Sequence, residues 1–95
     1  MRNQQLIAHA YARLALIEAQ IEQDANAAIS LYTEAIALAT PRWQAQYQID
    51  LGDVYITVQD VEAARHHYEE ARAIAELYAD EEIVRRADER LADLP

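Results

Sequence analysis

Leu51-Gly52-Asp53-Val54-Tyr55, followed by Ala64, Tyr68 and Ala71, is the stretch whose reading decides the fold. Much of its surroundings occurs a second time, 36 residues earlier. Tyr11 corresponds to Tyr47, Gln23-Asp24 to Gln59-Asp60, Ala27-Ala28 to Ala63-Ala64, Tyr32 to Tyr68, and Glu34-Ala35 to Glu70-Ala71. A fixed offset of this size marks supersecondary units stacked side by side, each burying a face against its neighbour.

Composition says what the units are made of. The chain is 53% hydrophobic, much of it alanine, with one glycine and two prolines. Ala, Leu, Glu, Gln and Arg favour helix, and the β-branched residues show no alternating pattern, so no strand is expected. Five helices fit. The first runs from about Asn3 to Glu22, with Leu6, Ala10, Leu14, Ile17 and Ile21 at three- and four-residue steps. Asp24 reads as the N-cap of a second helix from Ala25 to Ala39, since its carboxylate can accept free amide hydrogens of the next turn. Thr40-Pro41 breaks the chain again. Thr40 can cap a third helix from about Pro41 to Val58, and Pro41 suits its first position, where a missing N–H costs nothing. Asp60 repeats the part of Asp24 for a fourth helix, Val61 to about Tyr78. Asp80 caps a fifth, whose Glu81 and Glu82 lie near its positive end and whose Arg85, Arg86 and Arg90 lie toward its negative end. Linkers this short force antiparallel neighbours.

At Gln48-x-x-Leu51-Gly52-x-x-Tyr55, Ala64-x-x-x-Tyr68 and Ala71 the chain resembles the tetratricopeptide repeat. That pattern pairs a Leu-Gly and an aromatic on helix A with Ala-x-x-x-aromatic and a second Ala on helix B. Gly52, Ala64 and Ala71 are then small because two helices approach closely there. The second repeat spans about residues 45–78. Its departures are Gln48 in place of a large apolar residue and Gln59 where a turn glycine is common. The first repeat, about 9–42, matches well in its second helix only: Ala15-Leu16 stands where Leu-Gly is expected. Carried forward once more, the offset maps Tyr47, Leu51 and Tyr55 onto Ile83, Ala87 and Leu91, so residues of about 80–93 resemble the capping helix of such arrays. The resemblance implies an all-α fold: antiparallel helix pairs stacked as a short right-handed solenoid of five helices, in a single domain.

Charge and composition exclude several function classes. The formal net charge is -9, with a sequence pI near 4.6. An electrostatic grip on nucleic acid or anionic lipid needs a basic face, so neither nucleic acid nor membrane is an expected partner. All eight cations are arginine and there is no cysteine, which removes disulfides and thiolate metal sites. No apolar run approaches a membrane span and no signal peptide is visible, so a soluble, cytoplasmic protein is expected.

Nothing in the chain points to catalysis or to a cofactor. One glycine cannot build a phosphate-cradling loop, and no Ser/His/Asp arrangement is apparent. Glu62, His66 and Glu70 share a helix face at i, i+4 spacing, a pattern read as a solvated face rather than a metal site. Trp43 reads as a packing residue at the repeat junction. An enzyme is not expected, which leaves binding.

The resemblance implies a concave groove lined by the first helix of each pair, holding a peptide or partner helix. Its positions map onto Ala10, Arg13, Ile17, Gln20 and Ile21, onto Gln46, Ile49, Asp53, Ile56 and Thr57, and onto Glu82, Arg85 and Glu89. Of these, Arg13, Ile17, Gln20, Gln46, Ile49, Asp53 and Ile56 are the candidate binding residues. The carboxylate-gripping Lys and Asn set of some relatives has no counterpart in a chain without lysine. The alternative is self-assembly or a designed repeat protein with no separate ligand. The first helix is apolar around much of its circumference, and Leu6, Ile7, Leu14 and Ile21 are the candidate contacts of a homodimer.

Overall fold

The computed structural model describes residues 2–95. Among these it contains five α-helices and no strand: α1 Arg2–Gln20, α2 Ala25–Leu38, α3 Pro41–Thr57, α4 Val61–Leu77 and α5 Glu81–Ala92. Each falls where periodicity and capping place it, within one or two residues.

The turns explain the boundaries. Asp24, Asp60 and Asp80 each accept a backbone N–H three residues on, from Ala27 (3.1 Å), Ala63 (3.1 Å) and Ile83 (3.3 Å). The residue before each aspartate lies in the left-handed region: Gln23 at φ 55°, Gln59 at 62° and Ala79 at 56°. That conformation lets the chain reverse while the following N–H still bonds the helix it leaves. Asp60 N–H donates to Tyr55 O at 3.0 Å and Asp80 N–H to Ala75 O at 2.8 Å. The first turn is looser, since Asp24 N–H reaches one residue further back, to Glu18 O at 2.8 Å. Thr40 is the N-cap of α3, but its side chain makes no capping bond. Pro41 suits the first position because its missing N–H would have had no partner within the helix, and the Thr40 N–H donates to Gln5 Oε1 at 2.7 Å.

The helices pack in sequence, α1 on α2, α2 on α3, α3 on α4 and α4 on α5, and α5 also returns to α3. Tyr47 of α3 hydrogen-bonds His9 of α1 at 2.6 Å, so α3 touches all four other helices. The Cα trace measures 35 × 33 × 16 Å. The short dimension is the thickness of two helix layers, given interaxial distances of ~8–10 Å and a Cα radius of ~2.3 Å.

Small residues set the closeness of the layers. Ala8, Ala12 and Ala15 of α1 meet Ala28, Tyr32 and Ala35 of α2 in one cluster with Tyr47, Leu51 and Val54. Ala64, Tyr68, Ala71 and Ala75 of α4 pack with Ala45, Ile49, Ile83 and Ala87 in a second. Gly52 answers a specific need. A Cβ there would lie 2.5 Å from Tyr68 Cε1 and 2.8 Å from Cδ1, so the Tyr68 ring rests directly on the α3 backbone. Trp43 packs edge-on against His9, with ring centroids 4.5 Å apart, where α1 and α3 meet.

One helix faces the other way from its strongest signal. The stripe Leu6, Leu14, Ile17 and Ile21, which the periodicity picks out in α1, points to solvent, while the alanine face points in. The large side chains that fill this interface come from α2 and α3, and alanine on α1 lets them come close. Leu6 is 66% exposed and Ile21 71%. Among the described residues no helix is long and apolar enough to cross a membrane.

Candidate functional site

Helix α3 carries Gln46, Asp50, Asp53 and Thr57 along one strip of an otherwise buried surface. The spacing of three and four residues puts them on one side of the helix. Helix α1 runs alongside and is held there by His9 and Tyr47. Further along both helices the contact opens into a cleft of about 150 Å³. Leu16, Ala19 and Gln20 form its α1 wall, and Asp50, Asp53, Val54 and Thr57 its α3 wall. Tyr32 of α2 forms the floor. It is 3% exposed, and its hydroxyl has no hydrogen-bond partner among the described residues. Thr57 Oγ1 donates to Val54 O at 2.6 Å, which commits its one proton and leaves the oxygen able to accept.

The two carboxylates differ in how their charge is met. Asp53 is held by three bonds. Arg90 of α5 donates to Oδ1 through Nε at 2.9 Å and to Oδ2 through Nη2 at 3.2 Å, and the Tyr68 hydroxyl donates to Oδ1 at 2.5 Å. Asp50 has only an amide: Gln46 Nε2 donates to it at 3.1 Å, and Gln46 Oε1 in turn accepts from Arg86 at 2.8 Å. Burial pushes the Asp50 carboxyl up to about 6, and neighbouring Asp53 adds to the shift. The Gln46 bond and the more distant Arg90 and Arg86 oppose it. Burial, then Asp50 and Asp53, also raise the Tyr32 phenol well above its ordinary value, which places the hydroxyl in the field of both carboxylates.

The candidate residues from the sequence divide. Gln20 and Asp53 line the cleft. Gln46 reaches it through Asp50. Ile56 borders a neighbouring hollow with Tyr68, Arg90 and Leu94. Arg13 and Ile17 are exposed on α1 outside the cleft lining. Ile49 is a correction: it is 1% exposed and belongs to the core with Ile83 and Ala87. Helix α5 roofs that part of α3, clamped by Arg90 on Asp53 and Arg86 on Gln46, so no groove opens over Ile49. Glu82, Arg85 and Glu89 are exposed and pair among themselves, Arg85 to Glu82 at 2.6 Å and to Glu89 at 3.1 Å.

Sequence reasoning missed Leu16, Tyr32, Asp50 and Arg90. Asp50 and Asp53 at i, i+3 were a visible signal, because two carboxylates on a helix otherwise rich in Gln and apolar residues need a polar surrounding. Tyr32 stands out in the sequence only as the counterpart of Tyr68; in the fold it is core and also lines the cleft. On the far side of the molecule His66 is exposed, while His67 stacks on Tyr55 with the rings 5° from parallel and donates through Nδ1 to Gln48 Oε1 at 2.7 Å. Among the described residues no three His, Asp or Glu side chains converge in a way that would hold a metal ion.

No protein-family model, curated protein or solved structure matches this chain. The functional reading therefore rests on the residues and their geometry.

Proposed function

We propose that this chain is a protein-interaction module of the tetratricopeptide class, which holds a segment of a partner polypeptide along the side where α1 and α3 run together. The observation that carries this reading is the cleft between those helices. It has apolar wall residues in Leu16, Ala19 and Val54 and a few polar ones, with both carboxylates on the α3 side. Binding sites are commonly concave and apolar, with a few placed polar groups that set orientation. The 36-residue offset, the Asp-capped turns and the seating of Tyr68 on Gly52 support a repeat architecture, and a right-handed stacking of the two pairs with α5 as cap is part of the proposal. Leu16 at the counterpart of Gly52, and the looser first turn, are where the first pair departs from the second. In this reading the protein binds rather than catalyses, and works in the cytoplasm.

The test is selection of peptides from a random library on the immobilised protein, followed by amide shift mapping. Selected peptides should shift residues of the cleft. Leu16→Ser, which removes an exposed apolar wall residue, should weaken their binding at least several-fold and leave the melting midpoint within about 4 °C, as surface changes of ~0.5 kcal/mol or less do. Equal binding to the variant would remove the cleft from the function.

Self-assembly is a second reading, favoured by the outward stripe of α1. Leu6, Ile7, Leu14, Ile17 and Ile21 form one exposed apolar face with no partner among the described residues. Such a patch, on the order of several hundred Å², is at the upper end of what monomers expose. Two copies of it would approach the ~1,200 Å² total of a small stable interface. Light scattering across concentration, with Leu14→Ser and Ile21→Ser together as control, decides it. A monomer at tens of micromolar in low and high salt rules this reading out.

A further inference from the structure

The protein builds one complete carboxylate site. Asp53 takes a tyrosine hydroxyl from Tyr68 and the fork of a guanidinium from Arg90. The other carboxylate of α3, Asp50, stands near Tyr32, the residue 36 positions before Tyr68. This second pair has the carboxylate and the tyrosine but no cation. None of the described residues lining the cleft is basic. The two arginines nearest to Asp50 are committed elsewhere, Arg90 to Asp53, and Arg86 to Gln46 at 2.8 Å and to Glu82 at 3.3 Å.

We propose that the cleft between α1 and α3 takes the cationic end of a lysine or arginine side chain from the partner segment, seated between the Asp50 carboxylate and the unpartnered Tyr32 hydroxyl. This rests on the reading of the cleft as a polypeptide-binding site and names the chemistry it recognises.

Each wall has its part. Asp50 accepts the charged hydrogen bond, the strongest kind available to an ammonium or guanidinium. The Tyr32 oxygen, Gln20 and Thr57 Oγ1 lie on the same lining and can accept the remaining N–H groups. Leu16, Ala19 and Val54 pack the methylene stem, which lysine and arginine bury readily while keeping the head in polar surroundings. The volume suits the end of one side chain and not a helix. The raised carboxyl of Asp50 agrees with this, since burial makes a carboxylate resist ionisation and a bound cation would relieve it. Anionic segments are disfavoured by both carboxylates and by the net charge of -9.

The probes are four small molecules of matched length: butylammonium, propylguanidinium, butan-1-ol and butanoate, each titrated into the isotope-labelled protein at constant ionic strength. The two cations should shift the amides of Leu16, Asp50 and Val54 saturably. They should bind at least about tenfold more tightly than the alcohol, as expected of a charge-assisted bond in a partly desolvated cleft. Asp50→Asn should weaken the cations about tenfold or more and leave the alcohol unchanged. Tyr32→Phe, which removes only the hydroxyl, should weaken the cations several-fold. If butan-1-ol binds the cleft as well as butylammonium does, or if Asp50→Asn leaves the cations unaffected, cation recognition is overturned while the cleft survives as an apolar binding site. If none of the four probes shifts the cleft residues, both this inference and the cleft itself fall.

Discussion

Replacing Asp50 with Asn should make the protein more stable above neutral pH, by an amount that the geometry around this residue sets. Folding takes the Asp50 carboxyl from an ordinary value near 3.8 to about 6, chiefly by burial. For an acid raised in this way the native state binds more protons than the unfolded state between those two values. Stability contributed by this group is therefore greatest at low pH, falls as pH rises from about 3.8 through 6, and stays at its lowest above. A shift of about two units corresponds to ~3 kcal/mol, an upper figure because the group is not fully buried. Asn keeps the oxygen that accepts from Gln46 Nε2 and carries no charge to desolvate. The groups that face Asp50 are Gln46 and Asp53 on its own helix, Tyr32 from α2, and Arg86 and Arg90 from α5, and none of them is altered. Urea unfolding followed by far-UV circular dichroism should show Asp50→Asn more stable by about 1–3 kcal/mol near pH 8, or ~4–8 °C per kcal/mol in a thermal melt. The gap should close as the pH is taken below 4, where both side chains are neutral. Using the difference between the two proteins cancels the titration of every other carboxylate. An unchanged or lower midpoint near pH 8 would show that Asp50 is either well solvated or already paired with a cation, and the account of the cleft would be refuted. A residue retained at a cost to stability is the pattern expected where a side chain serves binding rather than packing.

Gly52→Ala should destabilise by up to about 2 kcal/mol. The overpacking against Tyr68, ~1–3 kcal/mol, is only partly offset by the ~1 kcal/mol helix preference for alanine, because the Tyr68 ring is buried and its hydroxyl is pinned to Asp53. Chemical denaturation measures it, and a net gain in stability would mean that the ring can move aside. Ile49→Ala should cost about 2–5 kcal/mol and Ile56→Ala well under half as much, since the first is 1% exposed and the second 38%; equal costs in the same assay would contradict the roofing of α3 by α5. Ala79→Gly should stabilise by up to about 1 kcal/mol, because Ala79 holds φ at 56°, where a Cβ is strained. A lower midpoint in thermal melts would show that glycine's extra unfolded-state entropy outweighs the relief.

The helices and their ends were legible in the chain because the signals are local. Asp24, Asp60 and Asp80 act within three residues of themselves, and Pro41 acts on its own amide. Gly52 was legible too, since a lone glycine inside a helix carrying Leu51 and Tyr55 needs a packing reason. Which face turns inward was a different matter. In α1 one face is alanine and the other leucine and isoleucine. Periodicity reports that the faces differ, not which is buried. The tertiary structure buries the alanines because Tyr32, Tyr47 and Leu51 from neighbouring helices already fill that space. The same limit applies to Ile49. Its burial needs α4 together with the return of α5 onto α3, fastened through Asp53 and Gln46, and neither is visible in the α3 sequence. The cleft residues were hidden for a third reason. Asp50 and Tyr32 lie 18 positions apart on different helices, and neither is unusual alone. What sets them apart is that they line one cleft in which none of the described residues is basic, and that juxtaposition exists only once the helices are packed.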